Sequence, residues 1–159
     1  MYQWLILLHV AAVLAFMLAH GTHVAVMWRM RAEADPEVSL TLFNTLSSSL
    51  TLRVLLAVIV GSGVLAGFTG SWWSRGWMWA SLVVLAGISV AMWRYGGSYW
   101  DAVQNAATRA VEARSSEPPD AAAQRAFDAA RGGWQTVGLS VIGLGGLAVI
   151  LWLMMFKPF

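Results

Sequence analysis

Four mostly apolar runs constrain this chain more than any other feature. They cover approximately Trp4–Met27, Leu50–Phe68, Trp77–Trp93 and Trp134–Phe156. A helix that crosses a bilayer needs about 20 mostly apolar residues, and each run is close to that length. In a chain of 159 residues with 58% hydrophobic and 11% charged side chains, little is left over for a soluble domain. The sequence therefore predicts an all-α protein, an integral membrane four-helix bundle forming a single domain over residues 1–159. The opening "MYQW" has no basic leader, and its apolar run exceeds a signal-peptide core, so we expect it to persist as the first span.

Charge sets the orientation. Arg29, Arg31 and Arg53 flank the first connection, and Arg94, Arg109, Arg114, Arg125 and Arg131 flank or occupy the third. Arg75 and Lys157 fall on the opposite face. The positive-inside rule puts the arginine-rich face in the cytoplasm and both termini outside it. Interfacial aromatics agree: Tyr2, Trp4, Trp72, Trp73, Trp77, Trp79 and Trp152 belong to the outer level, and Trp28, Trp93, Tyr95, Trp100 and Trp134 to the inner one. The expected location is a membrane whose arginine-rich side faces the cytoplasm. A net charge of +2 gives nucleic-acid binding no support. The absence of cysteine excludes disulfides, Fe–S clusters and thiolate metal sites.

The connections carry their own signals. Asp35-Pro36 reads as a helix start, with Asp as cap and Pro in the first turn. Leu40, Phe43 and Leu46 then recur every three residues, which predicts an interfacial helix over 36–46 on the cytoplasmic side. Ser47-Ser48-Ser49 is the expected bend into the second span. Residues 97–131 are alanine-rich with balanced charge, are broken at Pro118-Pro119, and carry Asp120 as a second cap. They predict a cytoplasmic helical hairpin between spans three and four, jointed at Gly96-Gly97 and Gly132-Gly133. Small residues at Ala11, Ala15 and Ala19, at Gly63 and Gly67, and at Gly138, Gly145 and Gly146 read as helix-packing faces rather than chemistry.

The chemistry is concentrated in the first span, "LLHVAAVLAFMLAHGTHVAVMWRMR", which holds all three histidines of the chain. His9 and His20 are eleven residues apart, so on a helix they point the same way within about 20° and lie about 16 Å apart. His23 and Met27 continue that stripe at one-turn intervals. Ionisable groups inside spans are uncommon and tend to mark function. No Asp or Glu lies within a span, so a carboxylate proton relay has no members. Imidazole and thioether suit copper and haem iron. The candidate metal ligands are His9, His20, His23 and Met27. A haem b held by His9 or His20 would find Arg29, Arg53 and Arg94 for its propionates. Spans two, three and four contain no histidine, so bis-histidine ligation needs a second copy, a partner subunit, or Met opposite.

The segments "YQWLILLHVAAVLAFMLAHG", "LRVLLAVIVGSGVLAG" and "GWMWASLVVLAGISVAMWRYG" resemble small four-helix bacterial membrane proteins related to copper-resistance protein D and to the HemJ-type protoporphyrinogen oxidase. The resemblance implies copper handling or a haem b bound through a first-span histidine, and His9 is the matching position. Ile6 stands where the oxidase type has lysine, and no Pro-Arg pair ends the first span, so oxidase activity is not implied. The expectation is a cofactor-binding membrane protein for electron transfer or metal handling rather than a stand-alone enzyme. It would act as a homodimer or within a larger membrane complex. The alternative is a non-catalytic accessory subunit of such a complex.

Overall fold

The computed structural model describes residues 1–46, 49–116 and 120–159. Helices account for nearly all of them, and no strand occurs among the described residues. In chain order they are α1 (Tyr2–Ala32), α2 (Pro36–Thr45), α3 (Ser49–Thr69), α4 (Gly76–Ala91), α5 (Gly97–Arg114), α6 (Ala121–Gly132), α7 (Gln135–Ser140) and α8 (Gly146–Phe156). A short 3-10 turn, Trp72–Ser74, links α3 to α4. Two five-residue π-helical turns, Met92–Gly96 and Val141–Gly145, join α4 to α5 and α7 to α8. Among the described residues, four helices are long and apolar enough to cross a membrane.

Both sequence-read caps form. Asp35 takes extended geometry and accepts from the Glu37 amide at 3.1 Å, with Pro36 in the first turn of α2. Asp120 accepts from the Ala122 amide at 2.8 Å. Each cap satisfies one of the amides that a helix start leaves without a partner. Gly96-Gly97 does not break the helix. Both glycines keep right-handed helical angles, and Gly96 closes the first π-turn. Gly133 adopts extended geometry after α6, so the second expected joint is present. The bend at Ser47-Ser48 and the break at Pro118-Pro119 lie outside the described residues.

The chain divides into two compact units. The first contains Met1–His23, Ser47–Ala86 and Gly146–Phe159, hence most of α1, all of α3 and α8, and most of α4. Its interior is small-residue packing with a few large anchors: Ala12, Ile59, Ala66, Trp77, Met78, Ile150 and Leu153 are buried. Along α1 the packing residue is Ala12, 6% exposed, whereas Ala11 is exposed. The alanine stripe expected at 11, 15 and 19 is thus displaced by one position at its start. Large apolar side chains on α1 point outward, among them Leu7, Leu8, Leu14 and Leu18.

The second unit contains Val24–Leu46 and Gly87–Gly145. Its core is Met27, Met30, Tyr99, Val103, Ala107, Ala110, Phe127 and Leu139. Phe127 and Val103 are fully buried, so α5 and α6 close on each other through one aromatic and a row of small residues. Leu40 and Phe43 of α2 pack against this core, and Phe43 meets the edge of Trp100 at 5.7 Å. The apolar stripe of α2 therefore has protein as its partner. A polar ladder crosses the unit. Trp28 Nε1 donates to Ser140 Oγ at 3.0 Å, and Ser140 Oγ donates to the Thr136 carbonyl at 2.7 Å. The Tyr99 and Thr136 hydroxyls meet at 3.2 Å. On α7–α8, Gly138 lies under the Trp134 ring, Gly143 is buried, and Gly145 faces open space.

Candidate functional site

The first unit contains a half-open apolar cavity of about 430 Å³ lined by α1, α3, α4 and α8. Pockets of roughly 300–1,000 Å³ with few polar groups are the usual form of small-molecule sites. From α1 the walls include Ile6, His9, Val13 and Phe16, and from α3 Ile59, Gly63 and Ala66. Four thioethers line it, those of Met17, Met78, Met154 and Met155. Ser81, the Trp72 and Trp77 rings and Lys157 complete its polar edges.

His9 enters this cavity with a defined tautomer. Its Nδ1 lies 2.9 Å from the Ile59 carbonyl oxygen and 3.2 Å from Ser62 Oγ. A carbonyl oxygen only accepts, so Nδ1 carries the proton. The Ser62 hydroxyl spends its own proton on the Val58 carbonyl at 2.6 Å and is left as a second acceptor for His9. In the neutral ring this puts the free lone pair on Nε2. Metal-binding histidines are oriented in this way, with the second nitrogen held by a carbonyl or carboxylate.

Two glycines make room for these groups. A Cβ added at Gly63 would stand 3.0 Å from His9 Cε1 and 3.3 Å from its Nδ1. One added at Gly67 would stand 2.7 Å from Met78 Cε and 3.3 Å from Trp73 Nε1. The Gly63/Gly67 pair, expected as a backbone contact between helices, instead seats an imidazole from α1 and a thioether from α4. The two seats are one turn, or about 6 Å, apart along α3. Sequence spacing points to Met27 and not to Met78. Its relation to His9 depends on which helices meet at α3, and no local spacing encodes that.

The other predicted residues are placed elsewhere. The His20 ring stacks on Phe16 with centroids 5.8 Å apart and planes 7° apart, and its Nε2 is buried without a hydrogen-bond partner. His23 Nδ1 donates to the Ala19 carbonyl at 2.8 Å, a bond within its own helix. Of the three histidines, His9 alone lines the cavity. Met27 is 4% exposed in the core of the second unit, packed with Met30 and Phe127. Among the described residues no three His, Asp or Glu side chains gather in a way that could hold a metal ion. Arg29 pairs with Glu33 at 3.1 Å on the surface of the second unit. Arg94 is exposed on the first π-turn. Arg53 is exposed on α3 and has an interaction of its own. None of these three arginines lines the cavity.

The cation that does line it is Lys157, the one lysine of the chain, which the sequence reading assigned only to charge counting. Its Nζ stands 5.2 Å over the Trp72 ring and 5.6 Å over the Trp77 ring. An ammonium over an indole face is attracted by the ring quadrupole, by about 0.5–1 kcal/mol when exposed and more when desolvated. A Trp-rich turn ahead of a helix and a lone lysine after a later one are the available sequence signals, and neither states that the two meet.

Comparison of the chain with protein-family models, with curated proteins and with solved structures gives no match.

Proposed function

We propose that the chain is a multi-pass protein of the bacterial cytoplasmic membrane that holds haem b through His9, for electron transfer or haem handling. The hairpin of α5 and α6 lies on the cytoplasmic side and both termini lie outside. Four long apolar helices and outward-facing leucines support insertion. The basic residues support the orientation.

The observation that carries the functional reading is His9. Its Nδ1–H is fixed by the Ile59 carbonyl and its Nε2 lone pair is left for an apolar, thioether-lined cavity. His9 would hold the group, and Met78, an α4 thioether that packs on α3 one turn from the His9 seat, is a second residue that could hold it. Bound haem would supply one-electron chemistry at iron, tuned by the residues that hold it. The chain's own residues fix the imidazole tautomer and present apolar walls.

Copper is the second reading, favoured by the same imidazole and thioethers. Charge separates the two. All eight Asp and Glu residues lie between positions 33 and 128, and none of them belongs to the first unit. A bare cation there would have no carboxylate to offset it, whereas haem brings its own anionic ring and acid groups.

The test is an absorption spectrum with metal analysis on detergent-purified protein. Wild type and His20→Ala should show a Soret band with iron, and His9→Ala should lose both. Copper retained by wild type and lost in His9→Ala selects the second reading. Neither metal above background, or an unchanged spectrum in His9→Ala, removes both.

A further inference from the structure

One end of the His9 cavity carries the chain's single lysine. Lys157 takes a left-handed backbone conformation, φ 47°, after its amide has donated to the Leu153 carbonyl at 3.0 Å. The chain then turns back. The Phe159 carbonyl accepts from the Trp77 amide at 3.3 Å, and the Phe159 ring lies against Gly76. This return path carries the ammonium over Trp72 and Trp77 and onto the cavity wall.

Lys157 is exposed and stands over two indoles at the rim of an apolar space, where it makes no ion pair among the described residues. No acidic side chain exists in its unit. A second donor waits nearby. Trp73 Nε1 is buried with no acceptor, at the Gly67 end of α3. Of the two, Lys157 lines the cavity and Trp73 does not.

The span from this end to His9 follows from α1. The Tyr2 ring meets Trp72 edge-on at 5.7 Å, so the lysine stands level with the first turn of α1. His9 is seven residues further along, a rise of about 10 Å.

We propose that the ligand of this cavity is an apolar acid. Its carboxylate rests on Lys157, its body fills the space between the four helices, and its coordinating centre meets His9 Nε2 about 10 Å away. The proposal rests on the reading that this cavity takes the cofactor. It adds the ligand's charge and reach, and it assigns Lys157 as a binding residue. A single metal ion cannot meet both groups.

The experiment titrates the full chain in detergent micelles with haemin and with haemin dimethyl ester, followed by tryptophan quenching. Wild type should bind the acid about tenfold more tightly than the ester, the weight of one charge-assisted hydrogen bond. Lys157→Met should bring the two within about threefold, and Lys157→Arg should keep most of the preference. Equal binding of acid and ester by wild type overturns the proposal, as does an undiminished preference in Lys157→Met.

His9→Ala separates this from the preceding reading. It should change the Soret band and leave the acid–ester ratio in place, so an unchanged band sinks the His9 reading alone. If wild type binds neither macrocycle, palmitate and hexadecanol adducts are compared by native mass spectrometry. A palmitate adduct that Lys157→Met loses sustains Lys157 as the acid-binding residue and overturns the coordinating centre at His9. Absence of any acid-selective adduct overturns it.

Discussion

Gly63→Ala and Gly61→Ala form a matched pair that tests whether α3 is shaped around His9. Both glycines lie within α3, two residues apart. Each replacement adds helix propensity worth about 0.8–1.0 kcal/mol. At Gly61 the new methyl meets nothing within 4 Å, so the gain stands. At Gly63 it arrives 3.0 Å from His9 Cε1, and the ring must retreat by a few tenths of an ångström. The ring has no slack, because its Nδ1 is held 2.9 Å from the Ile59 carbonyl on the same helix. Losing that bond leaves a half-buried donor unpaired, at about 1–3 kcal/mol. Gly63→Ala should therefore fall about 1–3 kcal/mol below Gly61→Ala. For a chain of this size each kcal/mol is about 2–4 °C in Tm. Thermal unfolding of both variants in one detergent reads the difference, and cofactor loading on the same samples should drop in Gly63→Ala only. Equal melting and equal loading would refute the placement of His9 on α3.

Other expected outcomes concern the second unit. Phe127→Ala removes its fully buried aromatic and should cost about 3–5 kcal/mol, visible as a lower Tm. Asp35→Ala removes the cap of α2, at about 1 kcal/mol, and should release the Glu37 amide to hydrogen exchange. Arg114→Ala breaks an ion pair whose two side chains are 45% and 44% exposed, so it should cost well under about 1 kcal/mol and leave that amide protected.

The helical architecture was legible because its causes are local. Run length, apolar composition and the Asp35-Pro36 and Asp120 caps act within a few residues of themselves. Gly132-Gly133 was readable as a joint for the same reason. Gly96-Gly97 was readable as an irregularity but not as a π-turn, since an inserted residue that keeps helical angles leaves no gap in the pattern. The candidate site was half legible. His9 declared itself as an imidazole in an apolar run. Its equivalence with His20 and His23 did not survive, because helical phase says which residues share a face and not what faces them. Ile59, Ser62 and Gly63 make His9 distinct, and they come from a helix fifty residues away. Phe16 under His20 and the Ala19 carbonyl beside His23 were within reach of a helical wheel. They are neighbours at i−4, where side chains on one face touch. Lys157 was hidden for the opposite reason, since its tryptophans lie on a turn some eighty residues earlier.

Haem binding at His9 depends on one nitrogen, Nε2. ¹⁵N NMR of histidine-labelled protein in micelles, with His9 assigned by its absence from His9→Ala, reads that atom directly. The account predicts a ring protonated at Nδ1 with a bare Nε2, whose signal shifts or broadens when haemin is added. A ring protonated at Nε2, or a bare Nε2 signal that haemin leaves untouched, would contradict it.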